Sequence, residues 1–167
     1  CTNLESIGKL SNVTNLNVSN CPLIKTLDVS FTSSSQTYSF SGCPALETIY
    51  FKGIVSPCDL SPLSALKVFH STNMTGQSIS TFDFSHNTLL EDLKLSASNS
   101  SLASPYWFPL NNLILPQSIR SLDIFGMDKL TSLRKTNYKN LQNLSIEQCY
   151  SLNDIDFSGC TSLETLR

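Results

Sequence analysis

One phrase recurs along this chain: apolar residue, two spacers, apolar residue, one spacer, apolar residue, two spacers, then cysteine or asparagine. The close spacing of its last two apolar residues predicts a short strand that leads into a turn with a buried corner residue. Such units stack on one another, because one copy alone cannot bury its apolar side. The clearest copies are Val13, Leu16, Val18, Cys21; Ile79, Phe82, Phe84, Asn87; Leu141, Leu144, Ile146, Cys149; and Leu152, Ile155, Phe157, Cys160.

The spacing of the apolar anchors sets the size of one coil. Leu122, Leu144 and Leu166 recur at about 22 residues, as a stacked repeat requires. A second series falls halfway between the first, so many coils have two extended segments and leave little room for helix. We therefore expect a β-rich, right-handed, curved solenoid of about seven coils over residues 1–167, with little helix. Anchors of the second series are Leu16, Phe82, Leu133 and Ile155.

The amino-acid sequences of the repeats resemble those of a known family. "CTNLESI" from Cys1, "CPALETI" from Cys43 and "CTSLETL" from Cys160 resemble the leucine-rich repeats of bacterial surface proteins in the BspA-like group. "FSGC", at Phe40 and again at Phe157, and "LPQSIRSLDI" from Leu115 resemble other parts of the same repeat. The resemblance implies a leucine-rich-repeat solenoid in a secreted or surface-exposed protein that binds host proteins, matrix or other cells.

A second family also has phrases of this kind. "LQNLSIEQCYSLNDI", which begins at Leu141, resembles the recognition repeats of plant intracellular immune receptors. That resemblance implies the sensor part of a receptor. Most coils here lack the proline that those repeats usually carry near the strand end, so this reading is placed second.

Composition narrows the classes of partner. The net charge is −2 and charged residues make up 14% of the chain, so no basic stripe is available for a phosphate backbone. We expect no nucleic-acid binding. No run of apolar residues approaches the length that crosses a bilayer, so we expect no membrane insertion by this segment.

Six cysteines allow two interpretations. Three disulfides would suit an extracellular chain. Alternatively, five cysteines are free thiols that pack as small apolar residues at the corners, and we favour this reading. Cys58, beside Pro57, lies off the repeat and is the one candidate for a reactive or paired thiol. The five corner cysteines are Cys1, Cys21, Cys43, Cys149 and Cys160.

The outward positions of the two strand series differ in character. The halfway series is monotonous, with Asn17, Ser19, Asp83, Ser85, Asp156 and Ser158. The main series is chemically varied, which suits a recognition surface lining the concave sheet, although ordinary exposed strand residues are the alternative. The residues predicted to bind a ligand on this series are Tyr50, Lys52, His70, Lys94, Asp123, Phe125 and Glu147.

The repeat is interrupted between Leu95 and Ile119, and this predicts a loop insertion near residues 97–117 that replaces a half-turn. The segment contains Tyr106, Trp107 and Phe108. Aromatic residues on a loop are favoured contact anchors. The alternative is that they fold back over their own coil, because an exposed aromatic cluster favours aggregation.

Catalytic and metal signals are weak. His70 and His86 are the chain's histidines, and no hydrolase, metalloprotease or phosphate-loop motif accompanies them. Asp83, Asp154 and Asp156 lack the glycine-rich spacing of repeat calcium sites. We expect no enzyme activity, no cofactor and no metal.

These observations predict a non-catalytic module of a secreted or cell-surface protein that binds a protein or glycan through its solenoid face, as an adhesin does. Two alternatives stay open: a structural spacer that holds another domain, and the sensor repeats of an intracellular immune receptor. The chain starts with "CTNLESI" and stops in the same phase with "CTSLETLR", which predicts that it is part of a longer array.

Overall fold

A computed structural model describes residues 1–32, 38–53, 58–75, 79–98, 108–133 and 138–167. These residues form twelve short strands and no helix. In chain order the strands are β1 (Leu10–Val13), β2 (Leu16–Asn17), β3 (Thr26–Phe31), β4 (Tyr38–Ser39), β5 (Thr48–Lys52), β6 (Val68–Met74), β7 (Thr81–Asp83), β8 (Asp92–Ala97), β9 (Asn112–Ile114), β10 (Ser121–Phe125), β11 (Asn143–Glu147) and β12 (Thr165–Leu166).

Eight of the strands form one sheet in the order β1-β3-β5-β6-β8-β10-β11-β12. Every neighbouring pair in it is parallel. Parallel strands need a crossover between them, and here each crossover is the rest of a coil. The chain is a parallel β-solenoid, which confirms the prediction of a β-rich solenoid with little helix. The right-handed turn, the curvature and the number of about seven coils stay predictions.

The halfway series builds a much smaller second face. Strands β2 and β4 form one two-stranded sheet, and β7 and β9 form another. A single parallel bridge joins Ser132 to Asp154. The second extended segment predicted for many coils is therefore present. It pairs over only two or three residues, whereas strand pairs of the large sheet such as β3 and β5 match over five.

The core lies between these two faces. On the large sheet, inward residues stack in register from coil to coil, as in Leu27, Ile49, Phe69 and Leu93. Each of these four side chains is fully buried. On the opposite face Phe82 and Phe84 are also buried, and both rings pack on Phe69. One aromatic cluster therefore connects the two faces of the solenoid.

Corner residues connect neighbouring coils through their polar atoms. The Cys43 thiol donates to the Val18 carbonyl at 2.7 Å. Asn87 occupies the same corner on another coil and is fully buried. Its side-chain Nδ2 donates to the carbonyls of Leu60 and Leu63, both at 2.9 Å. The corner cysteine or asparagine thus bonds one coil to backbone carbonyls of the coil before it. The carbonyls of Leu60 and Leu63 also accept from backbone N–H groups within their own coil.

The interrupted coil follows the repeat further than predicted. Lys94 lies opposite Asp123 in the sheet, 29 residues along the chain, so this coil is longer than the others. However, β9 pairs with β7, and Phe108, Leu110 and Leu113 are buried. Residues 108–117 belong to the coil itself, so the half-turn is present and not replaced. Tyr106 and Trp107 lie outside the described residues.

One polar residue interrupts an inward row. Ser71 stacks between Phe51 and Leu95 and is fully buried. Its hydroxyl has no hydrogen-bond partner among the described residues. A buried, unpaired hydroxyl costs free energy, because it gives up its bonds to water and gains none.

We expect Ser71→Ala to raise the free energy of unfolding by about 1 kcal/mol, since the change removes an unpaired group without adding volume. Urea denaturation measures the effect. Ser96→Ala is the control, because Ser96 lies on the half-exposed outward side of β8 and its hydroxyl donates to the Ala97 carbonyl. A loss of stability in Ser71→Ala would contradict the prediction.

Candidate functional site

The outward face of the large sheet carries one continuous row of side chains in register. Asp28 lies opposite Tyr50, Tyr50 opposite His70, His70 opposite Lys94, and Lys94 opposite Asp123. We call these five residues the central row. Adjacent strands lie about 4.8 Å apart, so the row spans roughly 20 Å. Residues on either side of each member point into the core, and this alternation keeps the row on the surface.

The middle of the central row is an aromatic and imidazole pair. The rings of Tyr50 and His70 meet edge to face, with centroids 5.2 Å apart. His70 Nε2 lies 2.9 Å from Asp92 Oδ2 on the next strand. Tyr50 is 39% exposed, one of the large apolar side chains left open to solvent. His70 is therefore held on two sides, and part of the Tyr50 ring stays open to solvent.

Ion pairs flank this centre. Lys94 Nζ contacts Asp123 Oδ2, and Lys9 Nζ lies 3.9 Å from Asp28 Oδ2. Side chains of these two pairs are between 34 and 62% exposed, so water and salt screen their charges. Each charge has an opposite partner beside it. The face is consequently rich in hydrogen-bonding groups, with little net charge to steer a ligand.

A second outward row runs beside the central row. Phe125 lies opposite Ser96 and Glu147, and Lys52 lies opposite Thr72. Glu147 Oε1 is 3.4 Å from Arg167 Nε. The structure therefore places all the residues predicted on the main series on one face: Tyr50, Lys52, His70, Lys94, Asp123, Phe125 and Glu147.

Two acidic residues of this face were missed from the sequence. Asp28 completes the central row, and Asp92 holds His70. Counting 22 residues back from Tyr50 would have found Asp28. Asp92 lies two positions before Lys94, in the neighbouring outward row, so its contact with His70 depends on side-chain reach. Phe108, predicted as a contact residue, is only 4% exposed and packs inward, as the self-packing alternative expects.

The small polar residues of the halfway series have a structural role. Asn17 Oδ1 accepts from the Ser19 backbone N–H at 2.9 Å, and Asp83 Oδ1 accepts from Ser85 at 2.8 Å. Asp156 does the same for Ser158. Each is an Asx turn, in which the side chain replaces a backbone acceptor where the short strand ends. The monotony of this series thus follows from one turn that recurs on several coils.

Comparison with protein-family models, curated protein sequences and solved structures finds no match to this chain.

All six cysteines are free thiols in the structure. Cys21 and Cys43 are buried at corners, and Cys149 and Cys160 are half-buried. Cys1 is exposed and does not pack as the others do. Burial, with a smaller contribution from the charge of Asp59, raises the pKa of the half-buried Cys58 to about 12. The raised pKa disfavours the thiolate at neutral pH, and the assignment of Cys58 as a reactive or paired thiol stays a prediction.

A cavity of about 330 Å³ opens on the second face beside Cys58. Hydrogen bonds from Ser61 and Ser85 lower the pKa of Asp59 and Asp83 respectively, so both carboxylates are charged at neutral pH. The cavity can accommodate a small polar group. Its lining comprises Cys58, Asp59, Leu60, Ser61, Ile79, Thr81, Phe82, Asp83 and His86.

No group of three or more His, Cys, Asp or Glu side chains among the described residues could hold a metal ion. Asp154 Oδ2, one of the carboxylates considered for calcium, accepts from the Ser132 hydroxyl at 3.0 Å. Within the same ranges, no helix is long and apolar enough to cross a membrane.

Proposed function

We propose that this chain is a leucine-rich-repeat solenoid that binds a protein or glycan, without catalysis, through the outward face of its large sheet. In this proposal the segment belongs to a secreted or cell-surface protein and acts as an adhesin does. The central row and the outward row beside it carry the recognition, with Tyr50 in the first and Phe125 in the second as the anchors. Many small contacts over several strands provide the affinity, as expected for a surface without a deep pocket.

The observation that carries the proposal is the in-register central row on an uncovered parallel sheet. Tyr50 and Phe125 supply large side chains whose ordering costs little entropy, and such residues dominate binding energy at protein interfaces. The ion pairs on this face favour specificity over a high association rate, because the fields of neighbouring opposite charges cancel at a distance. A spacer needs no such mixture of aromatic, imidazole and charged groups.

The test is a screen of the purified chain against arrays of extracellular proteins and glycans. For any ligand found, we expect the triple variant Tyr50→Ala, Lys94→Ala, Phe125→Ala to bind at least about 100-fold more weakly, because removal of each anchor costs about 1 to 2 kcal/mol. Surface plasmon resonance measures both affinities.

The matched control replaces three hydroxyls of the second face: Ser19→Ala, Ser85→Ala and Ser158→Ala. These changes keep the backbone N–H groups that form the Asx turns. We expect the control to bind as the unmodified chain does. Equal loss in both triple variants would contradict recognition by the large sheet, and a screen without any ligand would favour the spacer.

A further inference from the structure

A row of turn residues runs along the edge where the chain enters the large sheet. Eight coils enter through the same tight turn, closed by a bond from the fourth N–H to the first carbonyl. Four consecutive turns form a row with apolar third residues, and they begin at Cys21, Cys43, Leu63 and Asn87. The third residue of each turn points away from the core. Leu23 and Leu89 at the two ends of this row are 43 and 50% exposed, and Ala45 and Ala65 lie between them and are half-buried.

A row of charges runs beside these turn residues. Lys25, Glu47, Lys67 and Glu91 each follow two positions after the turn residue of the same coil. Backbone bonds stack them: the N–H of each donates to the carbonyl of the one before at 2.8 to 2.9 Å. The signs alternate along the stack. Glu47 and Lys67 form an ion pair at 3.0 Å, with both side chains partly exposed.

The charges of this row also pair within the chain, as Glu47 does with Lys67 and Glu91 with Arg120, and the two rows together have a two-fold symmetry. Read in reverse, the turn row is the same: leucine, alanine, alanine, leucine. Read in reverse, the charge row has every sign inverted. A two-fold axis between the coils of Glu47 and Lys67 therefore places like apolar residues together and opposite charges together. Glu5 and Arg120, the next charges outward, also match in this arrangement.

We propose that this edge, defined as Leu23, Lys25, Ala45, Glu47, Ala65, Lys67, Leu89 and Glu91, pairs with the same edge of a second copy of the chain. Self-complementarity of this kind is what an isologous two-fold interface requires. Leu23 packs against Leu89 of the other copy, and Lys25 meets its Glu91. The polar turn residues Asn3 and Ser118 form the rim at the two ends.

The association is weak and reversible. Four coils at about 4.8 Å each give an edge roughly 20 Å long, which is below the size of a permanent dimer interface. We expect self-association in the high-micromolar range, reduced by salt because the charges are exposed. Because this edge is distinct from the central row, the proposal does not depend on the proposed ligand.

Sedimentation equilibrium over micromolar to millimolar concentrations tests the proposal. Lys25→Glu places two glutamates opposite each other at two symmetric positions, and we expect about tenfold weaker association. The double variant Lys25→Glu, Glu91→Lys restores opposite signs between copies. Within one chain these residues are three strands apart, about 14 Å, so restored association requires contact between two copies.

Leu89→Ser is expected to weaken association, and Tyr150→Ser, which removes a side chain 79% exposed elsewhere, is expected to leave it unchanged. Circular dichroism checks that every variant folds. A chain that stays monomeric at millimolar concentration would overturn the proposal. So would a Lys25→Glu variant that associates normally, or a double variant that associates no better than the single one.

Discussion

Replacing Phe69 with alanine is expected to lower the free energy of unfolding by about 3 to 5 kcal/mol, the range for large-to-small changes of buried aromatics. Phe69 is fully buried near the start of β6. Its ring centroid lies 5.9 Å from that of Phe51, on the neighbouring strand. It lies 5.3 Å from Phe84 on the opposite face. The substitution therefore opens a cavity between the two faces of the solenoid, where the surrounding strands cannot close it.

Urea denaturation, followed by circular dichroism, measures this loss. Tyr50→Ala is the matched control, because it removes an aromatic side chain of similar size from the outward side of the adjacent strand, where it is 39% exposed. We expect the control to cost less than about 1 kcal/mol. A Phe69→Ala variant no less stable than Tyr50→Ala would mean that the aromatic cluster does not hold the two faces together.

Asn87→Ala is expected to cost about 1 to 3 kcal/mol, because it removes two buried hydrogen bonds to backbone carbonyls, at about 0.5 to 1.5 kcal/mol each. Both carbonyls keep one donor, the N–H of Leu63 or Leu66 in their own turn. The carbonyls are those of Leu60 and Leu63 on the preceding coil, both bonded by Asn87 Nδ2 at 2.9 Å. No water can replace the lost donor without entering the core, since Asn87 is fully buried. Thermal and urea unfolding of the variant measure the cost.

Two further variants separate the hydrogen bonds from the loss of volume. Asn87→Asp keeps the side-chain shape but removes both donors, and we expect it to be at least as damaging as alanine. Cys21→Ala is the corner control, because its thiol makes one long contact, 3.7 Å to the Ser19 carbonyl. If Asn87→Ala and Cys21→Ala lost equal stability, packing alone would explain the asparagine.

The repeat of about 22 residues predicted most of the sheet, because parallel pairing of equal coils is a direct consequence of equal spacing. The anchors Leu122 and Leu144 are paired in register, as this spacing requires. The varied outward residues of the main series share one face for the same reason. Period alone therefore identified both the core rows and the candidate surface.

Other features depend on contacts that the period does not fix. The contact between His70 and Asp92 crosses from one outward row to the next, and it needs the length of both side chains. The composition of residues 97–117 predicted a loop, but β9 pairs with β7 inside this range, and Phe108, just before β9, is buried. The cavity beside Cys58 arises where two coils meet, and no single phrase of the sequence marks it.

The alternating charges of Lys25, Glu47, Lys67 and Glu91 also limit how many coils can be added to this solenoid or removed from it. Deleting the coil that carries Lys67 would bring Glu47 beside Glu91, and duplicating a coil would repeat one sign. Like charges stacked at the strand spacing repel, whereas a change by two coils preserves the alternation. Along this edge, insertion or deletion of two coils should therefore cost less stability than insertion or deletion of one.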